Sequence, residues 1–494
     1  MKFKVFYFVL MLVLSGTQLL AQSMLKKSFS LVQDDHPFSN MLYGNGIVDL
    51  IAKDSVLWVA TGYGLSKAVY DPQTNDWQWQ SLTEKDYRSK GGVSAFGYMD
   101  EQTFWIATAF DTLTSASEQS LPAGGGLSYT RDGGKTWVHI PQPVDSLNNN
   151  ANNILSPTTT VIQNLIYDMA FVDSTIWIAS FGGGLRRSDD MGKTWQVVTT
   201  DGLPFSALQN LNHRAFSLLS VNDTLWVGTA GGISKTADNG QTWERFVFNA
   251  DNPLTISGNF VVALAYQPAK NAVWAATIQA EDTSEFRAVS VTYDGGKTWQ
   301  RLLSDEDIFA HNFAFYGEQV FIAADKGMYV YSPDQDKWDE ITAIQDMDSG
   351  NEIFQPEYYS VTVQMWKDFY FVWLGNADGL AVKQLNDPLA DWRVIRSFVS
   401  TNIRTKPAVY AYPVPFSPSR HLFIRFEYDA NKRLDEPIRI YDFAMDQVAE
   451  IPISNLKPKW DGTNFKGDVV ASGVYFFRAR VNGKVTWGKI VVVN

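Results

Sequence analysis

A chain of 494 residues is too long for one ordinary domain, and at 45% hydrophobic it is too apolar to be disordered. A net charge of −12 with no long basic run argues against nucleic acid and anionic lipid as partners. The absence of cysteine excludes disulfides, thiolate metal sites and a cysteine nucleophile, while 14% aromatic residues suit pleated sheets, on which rings pack well.

The chain opens MKFKVFYFVLMLVLSGTQLLAQS. Lys2 and Lys4 precede an apolar run over 5–14, and Ala21 offers a small residue at a cleavage position. This predicts a secretory signal peptide over residues 1–21, because the run is too short to span a bilayer. No membrane span is expected once it is removed.

From residue 24 to 397 one phrase recurs: an aliphatic residue, an aromatic, small residues, then a Gly-rich turn. It reads LWVATGYGL at 57–65, IWIASFGGGL at 176–185, LWVGTAGGI at 225–233 and VWLGNADGL at 372–380. Its anchors are Trp58, Trp105, Trp177, Trp226, Trp274, Phe321 and Trp373, separated by 47, 72, 49, 48, 47 and 52 residues. Each unit holds four short β-like segments; in the cleanest copy they fall at 165–172, 176–180, 185–189 and 194–199. Four antiparallel strands per unit, seven times over, predict an all-β, seven-bladed β-propeller, since closure removes the open sheet edges a linear solenoid would leave. Residues 28–33 offer an extra edge strand for ring closure.

A second phrase recurs four times: TRDGGKTW (130–137), SDDMGKTW (188–195), TADNGQTW (236–243) and TYDGGKTW (292–299). A phosphate loop is excluded by context, because such a loop needs G-x-x-x-x-G-K-S/T leading into a helix and here a strand follows. A structural hairpin explains each residue. Asp132, Asp190, Asp238 and Asp294 accept amide hydrogens of a tight turn. Gly134, Gly192, Gly240 and Gly296 supply a positive φ. Trp137, Trp195, Trp243 and Trp299 bury a ring against their own or a neighbouring blade. The phrase resembles the Asp-box of sialidases and sortilin-type receptors, S/T-x-D-x-G-x-T-W, which in those families is structural and lies away from the active site. Looser versions at 71–77, 334–338 and 387–392 keep only a turn acid and the closing Trp. The anchor phrase is also similar to propeller repeats of bacterial two-component sensors, a likeness that supports the fold alone.

The turns from first to second strand, and the motif turns, are tight and share one face. The long segments 109–123, 141–163, 201–212, 249–258, 278–288 and 342–357 fall on the other. Loops on a rigid frame are where binding residues reside. Polar residues gather there at the starts of the inner strands: Asn45, Asn164, His213, Arg214, Asn259, His311 and Asn312, with Tyr358 and Tyr359 on the last blade. Two readings stay open. These residues end strands beside water, or they form a funnel for a small polar ligand, a glycan or a protein.

No H-E-x-x-H, G-x-S-x-G or metal-spaced histidine cluster is present, so no catalytic residue, metal or cofactor is assigned. Arg88, Arg214 and Arg287 are the arginines available for a sialidase-like carboxylate clamp, and Asp49 and Asp168 take matching places on two inner strands. The expectation is a binding or interaction scaffold; a secreted glycoside hydrolase or lyase of the Asp-box kind is the alternative.

The repeat ends after Trp392, and residues 398–410 read as a linker. The segment 411–494 carries PVPFSPS, IRIYDF, KWDGT and ASGVYFF. It resembles the FlgD-type immunoglobulin-like domain and the type A sorting domain of the type IX secretion system. Val474, Phe476 and Ala479 are expected in its core. The resemblance implies a β-sandwich, contact with bacterial secretion machinery, and a place outside the cell or on the outer surface of a Gram-negative-type bacterium.

Overall fold

The computed structural model describes residues 41–114, 117–144, 160–280, 284–353, 355–397, 409–419, 421–428, 433–454 and 458–494. The expected signal peptide, the 28–33 edge strand and residues 398–408 of the linker lie outside the described residues.

Seven four-stranded antiparallel sheets follow one another along the chain, over 47–82, 92–140, 166–198, 215–246, 260–302, 310–341 and 358–395. In each, the strands pair in chain order from first to fourth. These are the blades of a seven-bladed β-propeller. Every second strand carries its anchor ring inside: Trp58, Trp105, Trp177, Trp226, Trp274, Phe321 and Trp373 are all at most 4% exposed. Second strands such as Thr175–Ser180 and Ala272–Ile278 are buried along their whole length. That is why they carry continuous apolar stretches such as IWIA and AVWAA rather than an alternation.

The four TRDGGKTW-type hairpins join third to fourth strands in blades 2 to 5. In the first, the Asp132 carboxylate accepts the N–H groups of Lys135 at 3.0 Å and Thr136 at 2.8 Å, and the Thr136 hydroxyl at 2.6 Å. The Thr130 hydroxyl accepts the Gly134 N–H at 2.9 Å, and the Trp137 indole donates to the Gly134 carbonyl at 3.1 Å. Gly134 has φ +92°, and a Cβ there would lie 3.0 Å from the Trp58 ring of the preceding blade. Gly240 likewise faces the preceding blade's Trp177 at 2.9 Å. The glycine is therefore needed twice, for its turn and for close approach.

In four blades the closing Trp lies against the anchor ring of the blade before it. Trp243 meets Trp177 edge-on at 6.2 Å and Trp299 meets Trp226 at 6.2 Å. Blades without the full motif keep the same joint, with Trp338 on Trp274 at 6.5 Å and Trp77 on Trp373 at 4.7 Å. The last pair closes the ring between blades 1 and 7. Around it, Gln364 Nε2 donates to the Asp54 carbonyl at 2.9 Å, and Arg393 pairs with Asp76 at 3.0 Å.

One expected loop is strand. Residues 109–123 continue blade 2 as a hairpin, in which Phe104–Thr114 pairs with Ser117–Thr130 to the tip. Phe110, Thr112 and Thr114 are residues that favour extended backbone, and they lengthen the ladder.

After the propeller, Val409–Tyr412, Ile424–Tyr428 and Lys459–Trp460 form one sheet. Gln447–Ile451, Ile438–Tyr441, Gly473–Val481 and Lys484–Val492 form a second. Phe416, Phe426, Trp460 and Phe477 fill the space between them, making a small immunoglobulin-like sandwich. Ala479 is in this core, but Val474 and Phe476 are not. Tyr475 and Phe477 share the inward face with Ala479, because side chains alternate along a strand and the two neighbouring positions must point out.

Candidate functional site

The first strand of every blade lines the central channel, and in every blade its pairing slips by one residue at the same place. The extra residue lies between Ile47 and Asp49, Val93 and Ala95, Ile166 and Asp168, Ala215 and Ser217, Val261 and Ala263, Ala310 and Asn312, and Tyr358 and Ser360. A bulge re-aims one side chain out of the ladder. The re-aimed residues are thus Val48, Ser94, Tyr167, Phe216, Val262, His311 and Tyr359. All but Ser94 line a cavity of about 200 Å³ in the channel.

Its walls differ in chemistry. Tyr167 and Phe216 pack with ring centroids 5.3 Å apart, and Phe260 stacks behind Phe216 at 4.7 Å. Elsewhere His311 lies edge-on to Tyr359 at 5.4 Å and against Phe309 at 4.3 Å. The polar lining consists of Asp49, Asp168, Ser217, His311 and Asn312 together with the two tyrosines.

Asp49 and Asp168 each follow a bulge. Asp168 Oδ1 accepts the Met169 N–H at 2.8 Å, and its Oδ2 accepts the Leu218 N–H of the next blade at 2.8 Å. Asp49 Oδ1 accepts the Leu50 N–H at 2.8 Å and the Ser360 hydroxyl of blade 7 at 3.4 Å. Both carboxylates therefore staple blades together while lining the cavity.

The residues singled out from the sequence fall into two groups. Five anchor loops or seams. Asn45 Oδ1 accepts the Ser397 N–H at 2.7 Å, tying the end of blade 7 to the start of blade 1. Asn164 is 1% exposed; it accepts the Ser180 hydroxyl at 2.9 Å and donates to the Pro143 carbonyl at 3.0 Å. His213 is 3% exposed, with Nδ1 accepting the Ser206 N–H at 2.9 Å and Nε2 3.0 Å from Asp201. That pattern fixes the ring as the Nε2–H tautomer, donating to Asp201. Burial works against the Asp201 charge, but the His213 and Asn210 side chains and the Leu203 amide outweigh it and bring the carboxyl to about 2. Arg214 donates to the Ala207 and Leu208 carbonyls at 2.6 and 3.0 Å and lies over the Phe181 ring. Asn259 accepts the Phe248 N–H at 2.8 Å and donates to Glu285 at 2.6 Å.

The other two, His311 and Asn312, line the cavity. Beside them His311 Nε2 is 3.8 Å from Glu357 Oε1, and the Tyr359 hydroxyl donates to Glu357 Oε2 at 3.1 Å. Burial first, then the Glu357 charge, push the Tyr359 phenol well up, and burial does the same for Tyr167. Both phenols therefore stay neutral at ordinary pH. Arg287 pairs with Asp325 at 3.0 Å between blades 5 and 6, and neither it, Arg88 nor Arg214 lines the cavity. Among the described residues, no group of three His, Asp or Glu side chains is placed to hold a metal ion.

Tyr167, Phe216 and the bulge ring itself were not singled out from the sequence. A weak signal existed: Val48, Tyr167, Phe216 and His311 each stand ten residues before their blade's anchor.

Fold and cavity together define a seven-bladed β-propeller with a mixed aromatic and polar channel and an appended sandwich. No protein-family profile matches the sequence, and no curated protein matches it either. Among solved structures, it is similar to PorZ, an essential surface component of the type-IX secretion system of Porphyromonas gingivalis. That likeness has 14% identity over 90% of this chain and 64% of that one, with a TM-score of 0.40. The chain thus spans under two thirds of the PorZ structure. A GH74 enzyme of Niastella koreensis is 13% identical over 92% of this chain and 73% of that one, with a TM-score of 0.47. YCF48 bound to D1 peptide is 14% identical over 74% of this chain and 99% of that one, with a TM-score of 0.43. Likenesses this distant assign no activity.

Proposed function

We propose that the protein is an exported bacterial binding scaffold whose ligand enters the central channel and rests on His311, Asn312, Tyr167 and Tyr359. The observation that carries this reading is the convergence of bulges: six re-aimed side chains meet around one cavity. Aromatic walls with a few hydrogen-bonding groups suit a small polar ligand or the end of a glycan. The hairpins of blades 2 to 5 belong, on this reading, to the Asp-box kind and serve the frame. The C-terminal sandwich is an export or attachment module of the FlgD-like, type A sorting kind, and the protein works outside the cell or on its outer surface. Glycan-array binding by the purified protein tests the site. Binding should fall at least ~10-fold on Asn312→Ala or Tyr167→Ala, about the loss of one good contact. No binding to any glycan, or binding that both variants leave untouched, overturns it. Deleting residues 408–494 and locating the protein tests the address; unaltered secretion removes that role.

The rival reading, a secreted glycoside hydrolase or lyase, draws on one observation, the His311–Glu357 pair at 3.8 Å. An acid and a histidine this close are the minimum for acid–base chemistry. Product analysis after incubation with an oligosaccharide panel separates the two: turnover that Glu357→Gln abolishes favours the enzyme, and intact substrate with measurable binding favours the scaffold.

A further inference from the structure

The sandwich meets blade 7 through a face whose composition suggests open solvent. Along Ile424–Tyr428, Ile424 and Phe426 enter the sandwich core, so Arg425 and Glu427 point the other way. Yet Arg425 is 1% exposed and Glu427 is 7% exposed. Arginine and glutamate are almost never so buried without partners.

The partners span the two domains. Arg425 Nε lies 2.5 Å from Glu427 Oε1, and its Nη1 donates to the Gly350 carbonyl at 3.4 Å, in the loop before blade 7. Lys459, on the neighbouring sandwich strand, is 3.8 Å from Glu352 of that loop, and Glu352 is 2% exposed. Behind Glu352, Arg396 pairs with Asp378 at 2.7 Å and also donates to the Glu352 carbonyl. On the neighbouring strand Val409–Tyr412, burial and then the Asp378 charge push the Tyr412 phenol up to about 12. Three cations, Arg396, Arg425 and Lys459, thus meet three anions, Glu352, Asp378 and Glu427.

Removing such charges from water is costly unless each keeps its partner in good geometry. Arg425 and Glu427 of the sandwich and Glu352 and Asp378 of the propeller are nonetheless all buried at this one contact. Both faces are also charged enough to stay hydrated when apart, as in domain interfaces that can separate.

We propose that the sandwich is an in-cis clamp on the propeller: the charged outer face of its three-stranded sheet recognises the 346–353 loop and the Asp378–Arg396 pair, and holds blade 7 in place. The position matters because Arg396 directly precedes Ser397, whose N–H is tied to Asn45 of blade 1 at 2.7 Å. The clamp therefore bears on the seam where the ring closes. This role is separate from any export function and needs no ligand.

The test uses the full chain with a protease site inserted within residues 398–408. After cleavage, the propeller and sandwich pieces are expected to co-elute on gel filtration at low salt. Lys459→Glu should weaken their association at least ~10-fold, as loss of one charged partner across an interface does. Lys459 is 47% exposed, so that change leaves the sandwich fold intact, which its own melting curve verifies. Pairing it with Glu352→Lys should restore part of the association. Folded pieces that separate at once on cleavage, or an association that Lys459→Glu and Arg425→Gln both leave unchanged, would overturn the clamp.

Discussion

Blades 2 to 5 and blades 1, 6 and 7 solve the same problem with different turns. In the first group an aspartate and two threonine or serine hydroxyls clamp the hairpin, as in Asp190 with Ser188 and Thr194. In blades 1 and 6 a tyrosine of the third strand reaches over the turn instead. The Tyr70 hydroxyl donates to Asn75 at 2.9 Å and the Tyr331 hydroxyl to Asp336 at 2.7 Å, where both acceptor residues have positive φ. The Trp against the preceding blade is common to both groups. The difference teaches that the ring pair is the joint, and that the turn chemistry only presents it.

The largest test of that division removes the rings. Trp177→Ala and Trp373→Ala should each cost about 3–5 kcal/mol in chemical denaturation, as for a large buried aromatic. Because one pair carries the motif and the other does not, equal losses support the joint as the shared element. A Trp373→Ala loss below about 1 kcal/mol would show that the closing seam does not depend on it.

The second test acts on the aspartates. Hydrogen bonds hold Asp132, Asp190, Asp238 and Asp294 at about 2, mainly from Thr136, Thr194, Thr242 and Thr298. Each is below the ordinary value of 3.8, so the ionised form is favoured in the folded chain. Their contribution is complete above the unfolded value and is lost as pH falls toward about 2. Melting temperatures of the wild type and of a variant with all four changed to Asn should therefore differ most at neutral pH and converge in acid. A gap that persists unchanged at pH 2 would place the stabilisation elsewhere.

The smallest test is Tyr70→Phe, which deletes one hydrogen bond of the alternative turn and should cost ~1 kcal/mol. An unchanged midpoint in urea would mean that Asn75 holds the turn without help.

The ring count and the motif hairpins were legible because they rest on local chemistry: a buried Trp, a turn acid and a glycine at fixed spacing. The channel was less so. A bulge is a property of strand pairing, and in YDM at 167–169 or RAFS at 214–217 only the ten-residue spacing to the anchor hints at a slipped register. Asn164, His213 and Asn259 illustrate the same limit from the other side. As polar residues beside inner strands they resemble a ligand shell, but loops folding back over them take up their hydrogen bonds. Arg425 and Glu427 read as an ordinary solvated edge until blade 7 is laid against them.

Each hairpin leans on the blade behind it, so every blade carries both a cover and a surface to be covered. Such a unit is its own complement. Losing one such tryptophan therefore uncovers two blades at once, the one that carried the ring and the one it shielded.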